Sequence, residues 1–248
     1  MNRLLNVIFF VLFFVQVGHA QLPPSARFNV TRMPIKQWYP KPVNPEATEK
    51  APLSAGRLLM PAKGFIILDP GHGGHDVGTQ SISKPRYQEK SLNLTTANFV
   101  KAYLEQLGYE VALTRKNDIF ISLEKRAQIA NEKKPDLFVS IHYNSAPSAE
   151  AKGVEVFFYN SKENKTRADK SKGLAQAVLK HVITHTKAHS RGVKHGNFAV
   201  IRETLMPAIL IEGGFVTNEA ELQNLKDPTY LKKLAWGIAK GVDEYKKK

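Results

Sequence analysis

The chain has 248 residues, of which 42% are hydrophobic, and this is enough for one α/β domain with its own core. It contains no cysteine, which excludes disulfides, thiol nucleophiles, thiolate metal sites and a lipid anchor attached to cysteine. The formal net charge of +14 predicts attraction to anionic surfaces. No stretch interleaves basic and aromatic residues as nucleic-acid modules do, so we expect no nucleic-acid partner.

Residues 1–20 have the pattern of an export signal. Arg3 supplies a positive start, an apolar run covers 4–17, and 18–20 provide the small residues that a signal peptidase recognises. The run is short for a membrane span, and no second apolar segment follows it. We therefore expect a cleaved signal peptide over 1–20 and no stable membrane insertion afterwards. An uncleaved N-terminal anchor is the alternative.

Residues 21–62 are rich in proline. Eight of the fourteen prolines lie between Pro23 and Pro61. Because proline lacks a backbone donor and favours extended chain, this segment is predicted to be a semi-rigid arm or linker. The remaining residues, 63–248, are predicted to form one folded domain.

From residue 63 onward, apolar strand patterns alternate with helical patterns. In chain order the predicted elements are strand 65–68, helix 92–107, strand 110–114, helix 122–131, strands 137–141 and 154–159, helix 167–187, strands 198–201 and 208–211, a short helix capped by Asn218, and a last helix over 228–245. Apolar strands that alternate with helices favour a parallel sheet covered on both faces. We therefore predict a single α/β domain, with a mostly parallel twisted sheet of about six strands and helices on both faces.

Three polar residues follow predicted strands. His72 lies four residues past the first strand, His142 ends the strand over 137–141, and Glu212 ends the last strand. In an open α/β sheet, ligands bind outside the carboxyl ends of the strands, so parallel strands bring these residues to one edge. Each residue alone would more often be structural, but the three together favour a functional site.

Four motifs follow one another along the chain: 67–74 (ILDPGHGG), 89–94 (EKSLNL), 140–144 (SIHYN) and 211–215 (IEGGF). In this order they resemble the zinc-dependent N-acetylmuramoyl-L-alanine amidases of the AmiA, AmiB, AmiC and CwlV type. The resemblance covers residues 64–245 and includes weaker similarities at 113–115, Arg126 and 191–194.

This resemblance implies a zinc site formed by His72, Glu89 and His142, with Glu212 as the acid–base residue. It is the only reason to select Glu89, which otherwise looks like a solvated charge before a helix. The implied reaction is hydrolysis of the amide between the lactyl group of N-acetylmuramic acid and L-alanine of the peptidoglycan stem peptide. We accordingly expect a periplasmic monomer that acts in cell-wall remodelling or daughter-cell separation.

Two other residue sets offer alternatives. His181, His185 and His189 recur every four residues on a predicted helix and form a second candidate metal site, although polar and basic neighbours disfavour a cation there. Residues 81–84 match the Ser-x-x-Lys motif of penicillin-binding serine enzymes, so Ser81 and Lys84 predict, as an alternative, a D,D-carboxypeptidase. A non-catalytic wall-binding module is a third alternative, disfavoured because all the required catalytic groups are present.

The segment between His72 and Glu89 is short. Some members of the resembled family carry a long inserted helix that plugs the zinc until an activator displaces it. Only sixteen residues separate His72 from Glu89, and they show no helical apolar pattern. The sequence therefore predicts an open site that needs no activator.

Overall fold

The computed structural model describes residues 61–248; the signal peptide expected over 1–20 and almost all of the 21–62 arm lie outside the described residues. The elements in chain order are β1 (Phe65–Pro70), α1 (Glu89–Gln106), β2 (Glu110–Leu113), α2 (Leu123–Lys133), β3 (Leu137–Asn144), β4 (Val154–Phe158), α3 (Lys165–Thr186), β5 (Ser190–His195), α4 (Ala199–Arg202), β6 (Ala208–Phe215), α5 (Glu219–Lys226) and α6 (Pro228–Lys246).

The strands form one six-stranded sheet in the order β2-β1-β3-β6-β4-β5. Every neighbouring pair is parallel except β4 with β6, which is antiparallel. The predicted class, a single α/β domain with a mostly parallel sheet, is confirmed. Because β1, β3 and β6 are parallel neighbours, the residues at their carboxyl ends lie together at one edge of the sheet.

The two faces of the sheet are covered by different helices. Alternate strand residues point to opposite faces. One set, which includes Leu68, Val139 and Ile211, packs in a large core with α1, α3 and α6. The other set, which includes Ile67 and Phe138, packs in a smaller core with α2 and α4.

The smaller core ends before the strands do. Further along the same face, the apolar residues give way to Asp69 on β1, His142 on β3 and Glu212 on β6. Helix α4, at four residues, is too short to cover this part of the sheet. Polar side chains are therefore left at the carboxyl end of the α2/α4 face.

One predicted strand was wrong. Residues 198–201 do not form a strand; 199–202 form α4, whose Val200 and Ile201 are buried in the smaller core. A short apolar run does not by itself separate a buried strand from a buried helical turn. The sixth strand is instead β5, which lies at the edge of the sheet and lacks a buried apolar run.

The predicted helix starts agree with the capping contacts. Ser122 accepts a hydrogen bond from the amide of Lys125 at the start of α2, and Asn218 caps α5 in the same way. Pro228 occupies the first turn of α6, as predicted. Helix α1 begins at Glu89 rather than residue 92, so the predicted ligand lies in its first turn.

None of the helices within residues 61–248 combines the length and the apolar character needed to cross a membrane.

Candidate functional site

His72 follows β1 on a tight turn. The strand ends at Pro70, and His72 takes a left-handed conformation with φ of 59°. Gly71 between them is required by close packing, since a Cβ there would lie 2.1 Å from Cε1 of His142. The turn therefore places the two imidazole rings side by side, with centroids 4.9 Å apart and nearly perpendicular planes.

Glu89 lies between the two histidines. Its Oε1 accepts a hydrogen bond from Nδ1 of His142 at 2.9 Å, and its Oε2 lies 3.2 Å from Nε2 of His72. One potential ligand atom from each of the three residues lies within 4.8 Å of the others. Within residues 61–248 this is the only such cluster of three or more histidine or carboxylate ligands. The structure thus brings the three predicted zinc ligands together.

The Glu89 carboxylate is held by further donors. The amide of Thr79 donates to Oε2 at 2.9 Å, and the amide of Tyr143 donates to Oε1 at 3.2 Å. Burial opposes the charged form, but hydrogen bonds and charges from His142 and His72 outweigh it and lower the pKa of Glu89. Glu89 is therefore a fixed, ionised carboxylate.

Asp76 orients His72. Nδ1 of His72 donates to Oδ2 of Asp76 at 2.8 Å, and Oδ1 of Asp76 accepts from the amide of Gly78 at 3.1 Å. Metal-binding histidines usually donate their second ring nitrogen to a carboxylate in this way. Burial disfavours the protonated ring, yet Glu89 and Asp76 together raise the pKa of His72. The contact turns Nε2 towards Glu89 and His142.

A buried ion pair holds the turn that carries His72. Arg126 on α2 contacts Asp69 on β1 at 2.8 Å, and both side chains are at most 2% exposed. Arg126 also donates to the carbonyl of His72 at 2.7 Å, and Arg115 donates to the carbonyl of Gly71 at 2.8 Å. Burial opposes ionisation of Asp69, but Arg126 and a hydrogen bond from Thr114 keep the pKa of Asp69 below its usual value.

Glu212 is the fourth predicted site residue. It pairs in register with His142 across β3 and β6, so it lies beside the cluster on the same face. Its Oε2 is buried and has no hydrogen-bond partner among the described residues. Burial, followed by the charges of Glu89 and Glu155, raises the pKa of Glu212 well above its usual value. Such a carboxyl group is suited to holding and transferring a proton.

A cavity of about 240 Å³ opens onto His72 and His142, two of the three candidate ligands. Its lining also includes Asp76 and the apolar side chains of Phe120, Ile121 and Leu123. A larger hollow of about 440 Å³ between α2 and α4 is lined by carboxylates, amides and one alanine, with no imidazole. Of these two cavities, only the smaller one opens onto candidate metal ligands.

The alternative histidine site does not form. His181 donates through Nε2 to Glu244 at 2.6 Å, and His185 donates to the carbonyl of His181 at 3.1 Å. His189 lies beyond Thr186, the last residue of α3, so it does not share a helical face with the other two.

The alternative serine site gains no support. Ser81 is fully buried, and its hydroxyl donates to the carbonyl of Ser83 and accepts from the amide of Tyr87. Lys84 is exposed. The Ser81 hydroxyl closes the loop before α1, and both of these hydrogen bonds are to backbone groups rather than to a side-chain base.

Sequence reasoning missed Asp76 and did not assign roles to Asp69 and Arg115. Asp76 lies four residues after His72 in a glycine-rich turn, and that spacing is the signal that would have found it. The contacts of Arg115 and Arg126 join residues distant in the chain, so no local pattern reports them.

Comparison with known proteins identifies the family of the chain. The profile of the family Amidase_3, described as N-acetylmuramoyl-L-alanine amidase, matches residues 66–244. "Probable cell wall amidase LytH" of Staphylococcus epidermidis is 33% identical over 186 residues, which are 75% of this chain and 60% of that protein. "N-acetylmuramoyl-L-alanine amidase AmiC" of Neisseria meningitidis is 33% identical over 240 residues, which include 79% of this chain and 57% of that protein. The chain thus spans less than two thirds of LytH and of AmiC.

The chain is also similar to solved structures of N-acetylmuramoyl-L-alanine amidases. The N-acetylmuramoyl-L-alanine amidase of Clostridium difficile 630 is 40% identical with a TM-score of 0.68, and the match covers 73% of this chain and 95% of that one. The catalytic domain of CwlV from Bacillus (Paenibacillus) polymyxa is 38% identical with a TM-score of 0.67, covering 73% and 97%. With this agreement of profile, sequence and fold, the chain belongs to the N-acetylmuramoyl-L-alanine amidase family Amidase_3.

Proposed function

We propose that this protein is a zinc-dependent N-acetylmuramoyl-L-alanine amidase, which hydrolyses the amide between the lactyl group of N-acetylmuramic acid and L-alanine of the peptidoglycan stem peptide. One observation carries the proposal. A cluster of His72, Glu89 and His142 lies beside Glu212, a half-buried residue whose Oε2 is buried and has no hydrogen-bond partner among the described residues. The names of the related amidases supply the substrate class.

The donor set fits zinc. Two imidazoles and one carboxylate are among the ligand sets of catalytic zinc in hydrolases, and three protein ligands leave a fourth position for water. The contact of His72 with Asp76 is the second contact that a metal-binding histidine usually makes. His72, Glu89 and His142 would therefore hold the ion. Zinc in this position supplies polarisation of a carbonyl and a water whose pKa is lowered to about 7.

Glu212 carries the proton in the proposed reaction. A cation held at His142 would favour the ionised form of Glu212, so the carboxylate could accept a proton from the attacking water. The water oxygen bonds to the lactyl carbonyl carbon, and the carbon–nitrogen bond then breaks. Glu212 returns the proton to the departing nitrogen of L-alanine. The products are a lactyl carboxylate and a stem peptide with a free amino terminus.

The same proposal places the enzyme outside the cytoplasm, in the periplasm, as a monomer. The signal-like pattern of residues 1–20 and the positive charge of the chain support it, because peptidoglycan and its associated polymers are anionic. Peptidoglycan is the expected partner, and cell-wall remodelling or daughter-cell separation is the expected role.

Mass spectrometry of peptidoglycan fragments tests the proposal. Purified protein incubated with isolated peptidoglycan should release stem peptides that begin with free L-alanine, together with glycans that carry intact lactyl groups. A Glu212→Gln sample should release neither. Release of D-alanine alone, or of new sugar reducing ends without free L-alanine, would show that a different bond is cut.

A further inference from the structure

We propose that Arg191 and Lys194 form a binding site for a free carboxylate of the stem peptide, beside Glu212. This inference rests on the proposed amidase function and adds a specificity-determining site to it. The carboxylate we assign to it is the first one beyond the scissile amide. It belongs to the second stem residue, a glutamate linked through its side chain, whose α-carboxylate is free.

A row of residues leads across the sheet from the candidate metal ligands to this site. His142 on β3 pairs with Glu212 on β6, Glu212 pairs with Glu155 on β4, and Glu155 pairs with Gly192 on β5. Paired residues on neighbouring strands share a face of the sheet. Glu155 and Gly192 therefore lie on the same face as the cluster, one and two strands beyond Glu212.

A β-bulge directs Arg191 to this face. Val154 pairs with Ser190, but the next residue, Glu155, pairs with Gly192, so Arg191 is an extra residue in β5. Bulges re-aim side chains and are frequent beside active sites. Nε of Arg191 donates to Oε2 of Glu155 at 3.0 Å, and Nζ of Lys194 contacts the same oxygen. Two cations thus meet at one carboxylate.

The cationic side chains around Glu155 outnumber its single negative charge. Glu155 has a side chain only 5% exposed, and Asn144 donates to its other oxygen at 2.7 Å. Arg191 and Lys194 are 32% and 41% exposed, so both cations also reach solvent. Glu155, Arg191 and Lys194 together carry a net charge of +1. Glu212 on β6 lies two strands away from the cations on β5. An anion is therefore attracted to the exposed side of the pair.

Gly192 leaves room for such an anion. Its φ is 89°, a conformation that favours glycine, and a Cβ built there has no heavy atom within 4 Å. Strands are about 4.8 Å apart, so Gly192 lies about 10 Å from Glu212 across the sheet. One extended residue spans about 3.5 Å, so a peptide cut beside Glu212 brings its second residue within reach of the long side chains of Arg191 and Lys194.

The test uses two muramyl tripeptides that differ in one group, the α-carboxylate of the second residue or the matching carboxamide. Release of the free tripeptide gives kcat/KM for each. We expect the protein to favour the carboxylate about five- to tenfold, since the ion pair is partly exposed and hence screened. Raised salt should reduce this preference.

Variants assign the preference to its residues. Lys194→Met should bring the ratio of the two kcat/KM values close to one, and Lys194→Arg should restore it. Lys172→Met, an exposed change on α3 at the other face of the sheet, should leave the ratio unchanged. If Lys194→Met does not fold, Arg191→Gln offers the same comparison while Lys194 stays on Glu155.

Two outcomes would overturn the inference: equal kcat/KM values for the two tripeptides in the unaltered protein, or a preference that persists in the folded Lys194 and Arg191 variants. Cleavage of neither tripeptide, when isolated peptidoglycan is also left uncut, would instead contradict the proposed function. The two failures are thus distinguishable.

Discussion

At the scale of single residues, Glu212 and Glu89 differ in their hydrogen bonds and in the direction of their pKa shifts. Glu89 accepts several hydrogen bonds and has a lowered pKa, whereas Glu212 has an unpartnered oxygen and a raised pKa. Glu212→Gln should therefore keep the fold and one zinc per chain but slow hydrolysis by about 10²–10⁴-fold. Metal analysis and initial rates measure both quantities, with exposed Glu203→Gln as control. Loss of zinc from the Glu212→Gln variant would instead indicate that Glu212 is a metal ligand. The role assigned to Glu89 would then need a new test.

Asp76 gives a second prediction at this scale. Because it fixes the ring of His72 through a 2.8 Å hydrogen bond, Asp76→Ala should weaken zinc binding by about 10–100-fold. Competition with a chromogenic chelator measures the dissociation constant. Asp169→Ala removes an exposed carboxylate on α3 and should leave it unchanged. An Asp76 variant that binds zinc as tightly as the unaltered protein would show that the turn alone orients His72.

At the scale of elements, the Arg126–Asp69 pair joins α2 to the end of β1. Arg126→Met leaves a buried carboxylate unpaired and should lower the free energy of unfolding by about 3–5 kcal/mol. Lys165→Met breaks an exposed pair with Asp169 and should cost at most about 1 kcal/mol. Urea unfolding compares the two variants.

The free energy of unfolding that Arg126→Met removes should depend on pH. The lowered pKa of Asp69 stabilises the native state above the unfolded pKa of about 3.9, and that contribution is lost as pH falls through the native pKa. In Arg126→Met the buried carboxyl must instead take up a proton, which costs less as pH falls. The difference in free energy of unfolding between the unaltered protein and Arg126→Met should therefore narrow from pH 7 towards pH 4. A constant gap would mean that Arg126 acts through packing alone.

The elements also show how far the sequence predicts the structure. The starts of α2, α5 and α6 were predictable because Ser122, Asn218 and Asp227 make local capping contacts. Strand β5 was not, since an edge strand with a bulge has neither a buried run nor regular alternation. His72, His142 and Glu212 follow strands and could be selected from the sequence. Glu89 joins them only through tertiary structure, and Asp76 only through a side-chain contact.

At the scale of the whole molecule, the short segment between His72 and Glu89 leaves access to the site open. Residues 73–88 between two of the candidate ligands form short bridges and turns and no helix. The alignment with AmiC runs over 240 residues yet includes only 79% of this chain, so AmiC contains segments that this chain lacks. Purified protein should therefore digest isolated peptidoglycan with no added partner, as measured by release of soluble stem peptide. Strict dependence on an activator would show that the site is closed by another segment.

We expect the cluster of His72, Glu89 and His142 to bind the zinc that hydrolysis requires. The most direct test is a titration of zinc into metal-free protein, with release of peptides that begin with free L-alanine as the readout. Release should rise in proportion to added zinc and level off at one zinc per chain, and His142→Ala should show neither tight zinc binding nor release. Full release of these peptides by the metal-free protein would contradict the account.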